Sequence, residues 1–329
     1  MFLSIIIAAY NVELFIEKCV LSAVMQLGFD HSYEIIIIDD GSTDATLLIL
    51  KKLQKAYENI VVVTQENSGL GAARNIGLKH ANGEFVWFID GDDYIEENIL
   101  KKILNVINEN NLDALALNYN VVDDKYNIST LHTNDIKMER EIVTGCEFYQ
   151  ANYAKSYTWS YIFKRTIFIK SDICFKERIN MQDSEILPKL MLEIQKISFL
   201  EEVCYYYVQH PNSYTNSNNG QKRLKYFESI IEVEASLKSF LLNEAKNNIQ
   251  IKKGLEKKIE GLHHVLFNHL LFFSYEKEWL LKIIKLLKKN NLYPLQNKAK
   301  GKMQLLKISF NSCPIATKWV VDKIRVLRK

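Results

Sequence analysis

The sequence is poor in linker-forming residues: 4 prolines and 12 glycines in 329 residues exclude long low-complexity tethers. Its five cysteines (Cys19, Cys146, Cys174, Cys204 and Cys313) are odd in number and scattered, with no Cys-x-x-Cys pair. That excludes a disulfide framework and a cysteine zinc site, and it points to a reducing, cytoplasmic setting. No stretch reaches the ~20 consecutive apolar residues of a membrane span. The opening run Leu3–Ala9 is only strand length, with neither a basic start nor a cleavage site, so no signal peptide is expected. The expectation is a chain that is soluble, or held only at a membrane surface.

An excess of one charge is also missing overall, but not locally. Net charge is +3, yet residues 275–329 carry 14 Lys and Arg against 3 Asp and Glu, which is +11 and leaves −8 for the first 274. An acidic body therefore carries a basic tail. Apolar residues at 48% and charged residues at 25% suit a globular protein long enough to bury a substantial core.

Strand and helix signals alternate through the first 120 residues. Leu3–Ala9, Glu34–Ile38, Ile60–Thr64 and Glu84–Ile89 are short apolar runs of the kind buried in parallel sheets. Helical spacing fills the gaps over 13–27, 44–57 and 71–81, with Asp44 at a helix start. This order implies a parallel sheet with right-handed crossovers. Tyr10, Asn11, Asp39, Asp40 and Asp90 to Asp93 all follow the carboxyl ends of these runs, the edge where open parallel sheets bind ligands. Strands are expected again at 114–122 and 203–209, and a helix from Asp183 to Ile194. From Arg223 the pattern is helical, over 223–246, 250–273, 276–290, 302–308 and 314–328.

Three clusters carry chemistry. Asp90, Gly91, Asp92 and Asp93 put three carboxylates in four residues; they repel one another unless a cation neutralises them, and oxygen ligands favour Mg²⁺ or Mn²⁺. A solvated acidic turn is the plainer reading, and Asp93 is expected to be only a helix cap. Asp39 and Asp40 precede Gly41, Ser42, Thr43 and Asp44; one carboxylate suits a base N–H and the other suits the loop. Asn67 to Asn75 form a glycine loop opening a helix, whose amides, with Arg74, could attract phosphate.

Together, Ser4–Asn11, Ile38–Asp44, Asn67–Gly77 and Phe88–Asp93 resemble glycosyltransferase family 2, over roughly residues 2–215. The resemblance implies an α/β GT-A fold, a Rossmann-like mostly parallel sheet flanked by helices, and inverting transfer from a nucleotide sugar. Residues 1–220 would form the catalytic domain (1–112 for the donor, 113–220 for the acceptor) and 221–329 a helical, basic extension. It places Ala8, Tyr10 and Asp40 around uracil with Arg74 close by, Asp90 and Gly91 on the donor, and Asp92 on Mn²⁺ or Mg²⁺. Ala8 stands where the family usually has proline. The general base maps to Asp183 in the segment Met181–Ile186, where Gln182 replaces the family's glutamate; Glu185 is the fallback and an N-cap the plainer reading. Trp159, His210 and Ser213 are candidates for the acceptor or for a loop closing over the diphosphate. The usual Asn-Lys after the tryptophan is Ser160 and Tyr161, and the usual arginine near His210 is missing.

The implied partners are a UDP-sugar and a saccharide acceptor, lipid-linked in bacterial lipopolysaccharide, capsule or other surface-glycan assembly at the inner face of the cytoplasmic membrane. The basic, Trp-containing tail suits an anionic membrane surface, and equally a packed bundle or a homodimer face. No basic-aromatic platform argues for nucleic acid. The reading from another class is a non-catalytic saccharide- or nucleotide-binding module on the same fold. His263, His264 and His269 lack metal-ligand spacing and are read as helix packing or surface.

Overall fold

The computed structural model describes residues 2–26, 33–130, 136–210, 220–272, 277–296 and 300–327. The chain divides into two compact units, Met1–Arg178 with Gln182–Asn216, and Ile179–Met181 with Ser217–Lys329.

The first unit is built on one sheet. Strands β1 (Leu3–Ala9), β2 (Tyr33–Asp39), β3 (Ile60–Thr64) and β4 (Phe85–Asp90) run parallel in the order β3-β2-β1-β4. The order continues through β8 (Tyr161–Lys164), β6 (Ala114–Asp123), β9 (Ile197–Gln209) and β5 (Tyr94–Ile95), with β7 (Ile128–Thr130) beside β6. Here the pairing is mixed: β8 is antiparallel to both neighbours, β9 is parallel to β6, and β5 is antiparallel to β9.

The sequence explains the centre directly. Every residue of β1 is buried, as are Ile35 to Ile38 of β2, and each fully buried isoleucine contributes about 1.5–3 kcal/mol. Helices α1 (Ile16–Val24), α2 (Thr46–Ala56) and α3 (Leu70–His80) link these strands. Helix α3 lies close on β1: a Cβ on Gly77 would sit 2.3 Å from Ile6 Cγ2, so glycine sets that approach.

Several boundaries differ from the sequence reading. Helix α1 starts at Ile16 rather than 13, because Val12 O closes a turn with the amides of Phe15 and Ile16. Strand β9 starts at Ile197 rather than 203, and an irregularity opposite Leu117 to Tyr119 breaks its register. Helices α4 (Leu100–Asn110), α5 (Gly145–Asn152) and α6 (Thr166–Lys170) were not foreseen, whereas α7 (Gln182–Glu193) was.

The second unit holds α8 (Gly220–Asn243), α9 (Ile249–Phe272), α10 (Lys277–Lys289), α11 (Lys302–Ser312) and α12 (Pro314–Leu327). They pack around Phe227, Leu255, Phe267, Leu287 and Phe310, all buried. His263 is buried too, its Nδ1 2.6 Å from Glu234 Oε1, which is the packing role read from sequence. Among the described residues, no helix is long and apolar enough to cross a membrane. None of the five cysteines forms a disulfide among the described residues.

Candidate active site

The loops at the carboxyl ends of β1, β2 and β3 are knitted to one another. Asn11, at φ 52°, accepts Thr43 N–H at Oδ1 (2.8 Å), and its own amide donates to Ser42 Oγ at 3.1 Å. Asp44 receives Thr46 N–H at 3.0 Å, as a helix-start carboxylate should. Ala8 is nearly buried and Tyr10 is 47% exposed, so the tyrosine ring is the open surface at this edge.

Asp40 is used differently from the expectation. Its Oδ1 accepts the Gln65 side chain and Ser68 N–H (2.8 Å), and its Oδ2 accepts Gly69 N–H (2.8 Å). The amides of the glycine loop, expected to attract phosphate, therefore serve a carboxylate of the protein itself. Asp40 ties that loop to β2; a ligand would have to share its oxygens.

The acidic cluster follows β4. Gly91 N–H donates to Ala8 O at 3.0 Å, and a Cβ there would meet the same oxygen at 2.9 Å. Only glycine lets the loop turn this tightly against β1. Asp92, partly exposed, has its Oδ2 3.1 Å from His210 Nε2. The His210 ring lies against Phe15, centroids 4.6 Å apart.

Asp93 corrects the sequence reading of a cap. It is buried, and it accepts Tyr205 O–H at 2.5 Å and Val208 N–H at 2.8 Å, strapping the acidic loop to β9. Burial first, and then the charges of Asp92 and Asp90, hold its pKa well above the ordinary carboxylate value.

Arg74 stands at the centre. Only 1% exposed, it donates from Nη2 to Asp90 Oδ1 at 2.7 Å and from Nη1 to Asp183 Oδ1. It lies between two acids, one at the end of β4, where Asp90 is the register partner of Ala8, and one in the first turn of α7. Burial would lower its pKa, but Asp183 and Asp90 overcome that and raise it. Burial likewise pushes Asp90 up to about 6, with Asp92 and Asp183 adding to the shift and Arg74 opposing it.

Asp183 sits in the first turn of α7, yet it does not act as a cap. Its Oδ1 takes hydrogen bonds from the Arg74 side chain and from Thr158 Oγ1 at 2.7 Å. Its Oδ2 accepts none among the described residues. The fallback Glu185 is buried and paired with Lys189. Thr158 escaped the sequence reading; its one signal was its place directly before Trp159.

Trp159 is core rather than platform. It is 4% exposed, and its ring stacks on Tyr205 at 4.4 Å and on Tyr157 at 5.1 Å. The open end of the stack is Tyr157, which is exposed. Ser213 lies outside the described residues.

A cation here would find Asp92 Oδ2 and His210 Nε2 side by side. Among the described residues no group of three His, Cys, Asp or Glu side chains gathers to hold one. Two protein donors, Asp92 partly exposed, fit an ion that completes its shell with waters and substrate phosphates.

Residues 4–173 match the family model described as Glycosyl transferase family 2. The chain is 32% identical over 216 residues to the glycosyltransferase EpsJ of Bacillus subtilis, covering 64% of this chain and 62% of that protein. To the poly(ribitol-phosphate) beta-N-acetylglucosaminyltransferase TarS of Staphylococcus aureus it is 30% identical over 206 residues, 62% of this chain and 35% of that protein. The matched region thus spans less than two thirds of either relative. The crystal structure of S. aureus TarS 1-349 in complex with UDP-GlcNAc superposes with a TM-score of 0.70 at 22% identity, covering 100% of this chain and 93% of that one. The fold is therefore shared.

Proposed function

The chain belongs to glycosyl transferase family 2, and from that premise we propose that it transfers a sugar, with inversion, from a UDP-linked donor to a saccharide hydroxyl. One observation carries the reading. A single buried guanidinium, Arg74, joins Asp90 of the acidic loop to Asp183 of α7, so the donor-side and base-side carboxylates belong to one site.

Asp183 Oδ2 takes the proton of the acceptor hydroxyl as the acceptor oxygen attacks the anomeric carbon, and the bond to the diphosphate oxygen breaks on the opposite face. Arg74 and Thr158 hold the other oxygen and fix the carboxylate's orientation. Asp92 and His210 would hold Mn²⁺ or Mg²⁺, which when bound neutralises charge growing on the leaving diphosphate. Asp90 restrains Arg74 and faces the donor ribose; Ala8 and Tyr10 border the base. We assign this chemistry to residues 1–220, with 221–329 as the helical extension.

TarS, by its name, acts on poly(ribitol-phosphate), and this supports a bacterial surface glycan as the product class. We place the acceptor on a lipid carrier at the inner face of the cytoplasmic membrane.

The test is release of UDP from a panel of UDP-sugars with and without Mn²⁺. Wild type should show metal-dependent release, and Asp92→Ala should lose at least about 100-fold. Wild-type turnover by Asp92→Ala in EDTA would sink the metal assignment. Donor binding with no release under any condition would favour the non-catalytic module.

A further inference from the structure

Helix α12 is packed with its polarity partly reversed. Thr317 and Lys318 face inward with Val321 and are buried, while Ile315, Trp319, Val320 and Ile324 face out, Trp319 at 62% exposure. The inward polar groups are satisfied: Thr317 Oγ1 meets Ser309 Oγ at 2.7 Å, and Lys318 Nζ donates to Leu271 O at 3.3 Å and to Asp322. The reversal is therefore a stable arrangement. Helix α11, paired with α12 through the Ser309–Thr317 contact, exposes Leu305 at 69% and Ile308 at 52%. Six large apolar side chains thus face outward within twenty residues, far more than the single exposed residues a surface normally carries.

Charge selects the occupant. Residues 300–329 contain eight Lys and Arg against one Asp, and Lys323 Nζ lies over the exposed Trp319 ring at 5.8 Å. A second copy would bring the same positive charge to this face. Nucleic acid would meet branched aliphatic side chains where it needs aromatic or hydrogen-bonding ones. An anionic lipid surface matches both features: tryptophan and aliphatic groups enter the headgroup boundary while lysines meet phosphate.

We propose that the outer face of α11 and α12 docks on an anionic membrane surface. This stands on the helices alone and does not depend on the glycosyl-transfer reading. The full chain, without donor, is sedimented with vesicles of phosphatidylcholine alone or with added phosphatidylglycerol. Wild type should bind the anionic vesicles, weakly the neutral ones, and salt should release it. Trp319→Ser with Ile324→Ser should weaken binding about tenfold or more. Lys302→Glu with Lys323→Glu should erase the preference for phosphatidylglycerol. All four residues are exposed, so UDP release in vesicle-free buffer should stay at the wild-type level. The proposal falls if wild type ignores the vesicles, binds both kinds equally, or is matched by the variants. It also falls if Trp319→Ser instead disperses a concentration-dependent dimer or abolishes binding to RNA.

Discussion

At Arg74, two partly exposed carboxylates from distant segments share one buried guanidinium. Such a cation is fixed by geometry, and so is the carboxylate it holds. Asp183→Asn keeps an oxygen for Arg74 and Thr158 but cannot take a proton. Donor affinity by titration calorimetry should stay at the wild-type level while transfer falls by about 100-fold or more. Near-normal transfer would leave Asp183 as a structural partner of Arg74 only. Asp90 makes a separate, pH-dependent contribution. Its pKa rises on folding from 3.8 to about 6, so the folded state binds the proton more tightly than the unfolded one. The associated stability is fully present below 3.8 and is lost as pH rises through about 6. In chelator, the melting temperature of wild type relative to Asp90→Asn should therefore fall across about pH 4 to 7, by no more than about 3 kcal/mol in equivalent stability. A flat difference between the two proteins would remove the shift.

At the scale of elements, β5 is two residues long and, among the described residues, pairs only with β9, too short to hold the acidic loop by itself. Asp93 supplies the missing tie by accepting from Tyr205 and Val208. Tyr205→Phe keeps the ring on Trp159 but leaves a buried carboxylate one donor short, at a cost of about 1–3 kcal/mol. It should loosen the loop that carries Asp92, so KM for metal should rise more than kcat falls. A variant with unchanged metal dependence would confine the strap to folding. This tie also marks the limit of what the sequence showed. Strand ends and their acidic or glycine-rich turns are local patterns, so β1 to β4 and the place of Asp90 and Asp92 at the end of β4 were legible, whereas Asp183 was named only through the family resemblance. Pairings such as Asp93 with Tyr205, Thr158 with Asp183, and Arg74 with both acids join segments that no spacing rule connects. For the same reason Asp40's hold on the glycine-loop amides was hidden. Trp159 stood among the acceptor candidates, and Tyr205, which covers one face of its ring, lies far from it in the chain.

Across the whole molecule, the acidic carboxylates gather in the sheet unit and the excess of lysine in the helical one. The helical unit nevertheless buries a charge of its own. Glu234 is fully buried between His263 Nδ1 at 2.6 Å and Lys238 Nζ at 2.9 Å. Gln296 N–H donates to His263 Nε2 at 2.9 Å, so Nε2 must be bare and Nδ1 must carry the proton given to Glu234. The three groups form one relay, and its parts should not be additive. Glu234→Leu strands the Nδ1–H in the core and should cost about 1–3 kcal/mol. Lys238 is one-third exposed and can turn to solvent, so it adds little to that cost. Adding His263→Phe removes the stranded donor, so the double variant should be more stable than the sum of the singles predicts. Urea unfolding of the four proteins should give a coupling above about 0.5 kcal/mol. Strict additivity would mean that Glu234 and His263 are neighbours without being partners, and that helices α8 and α9 are held by their apolar contacts alone.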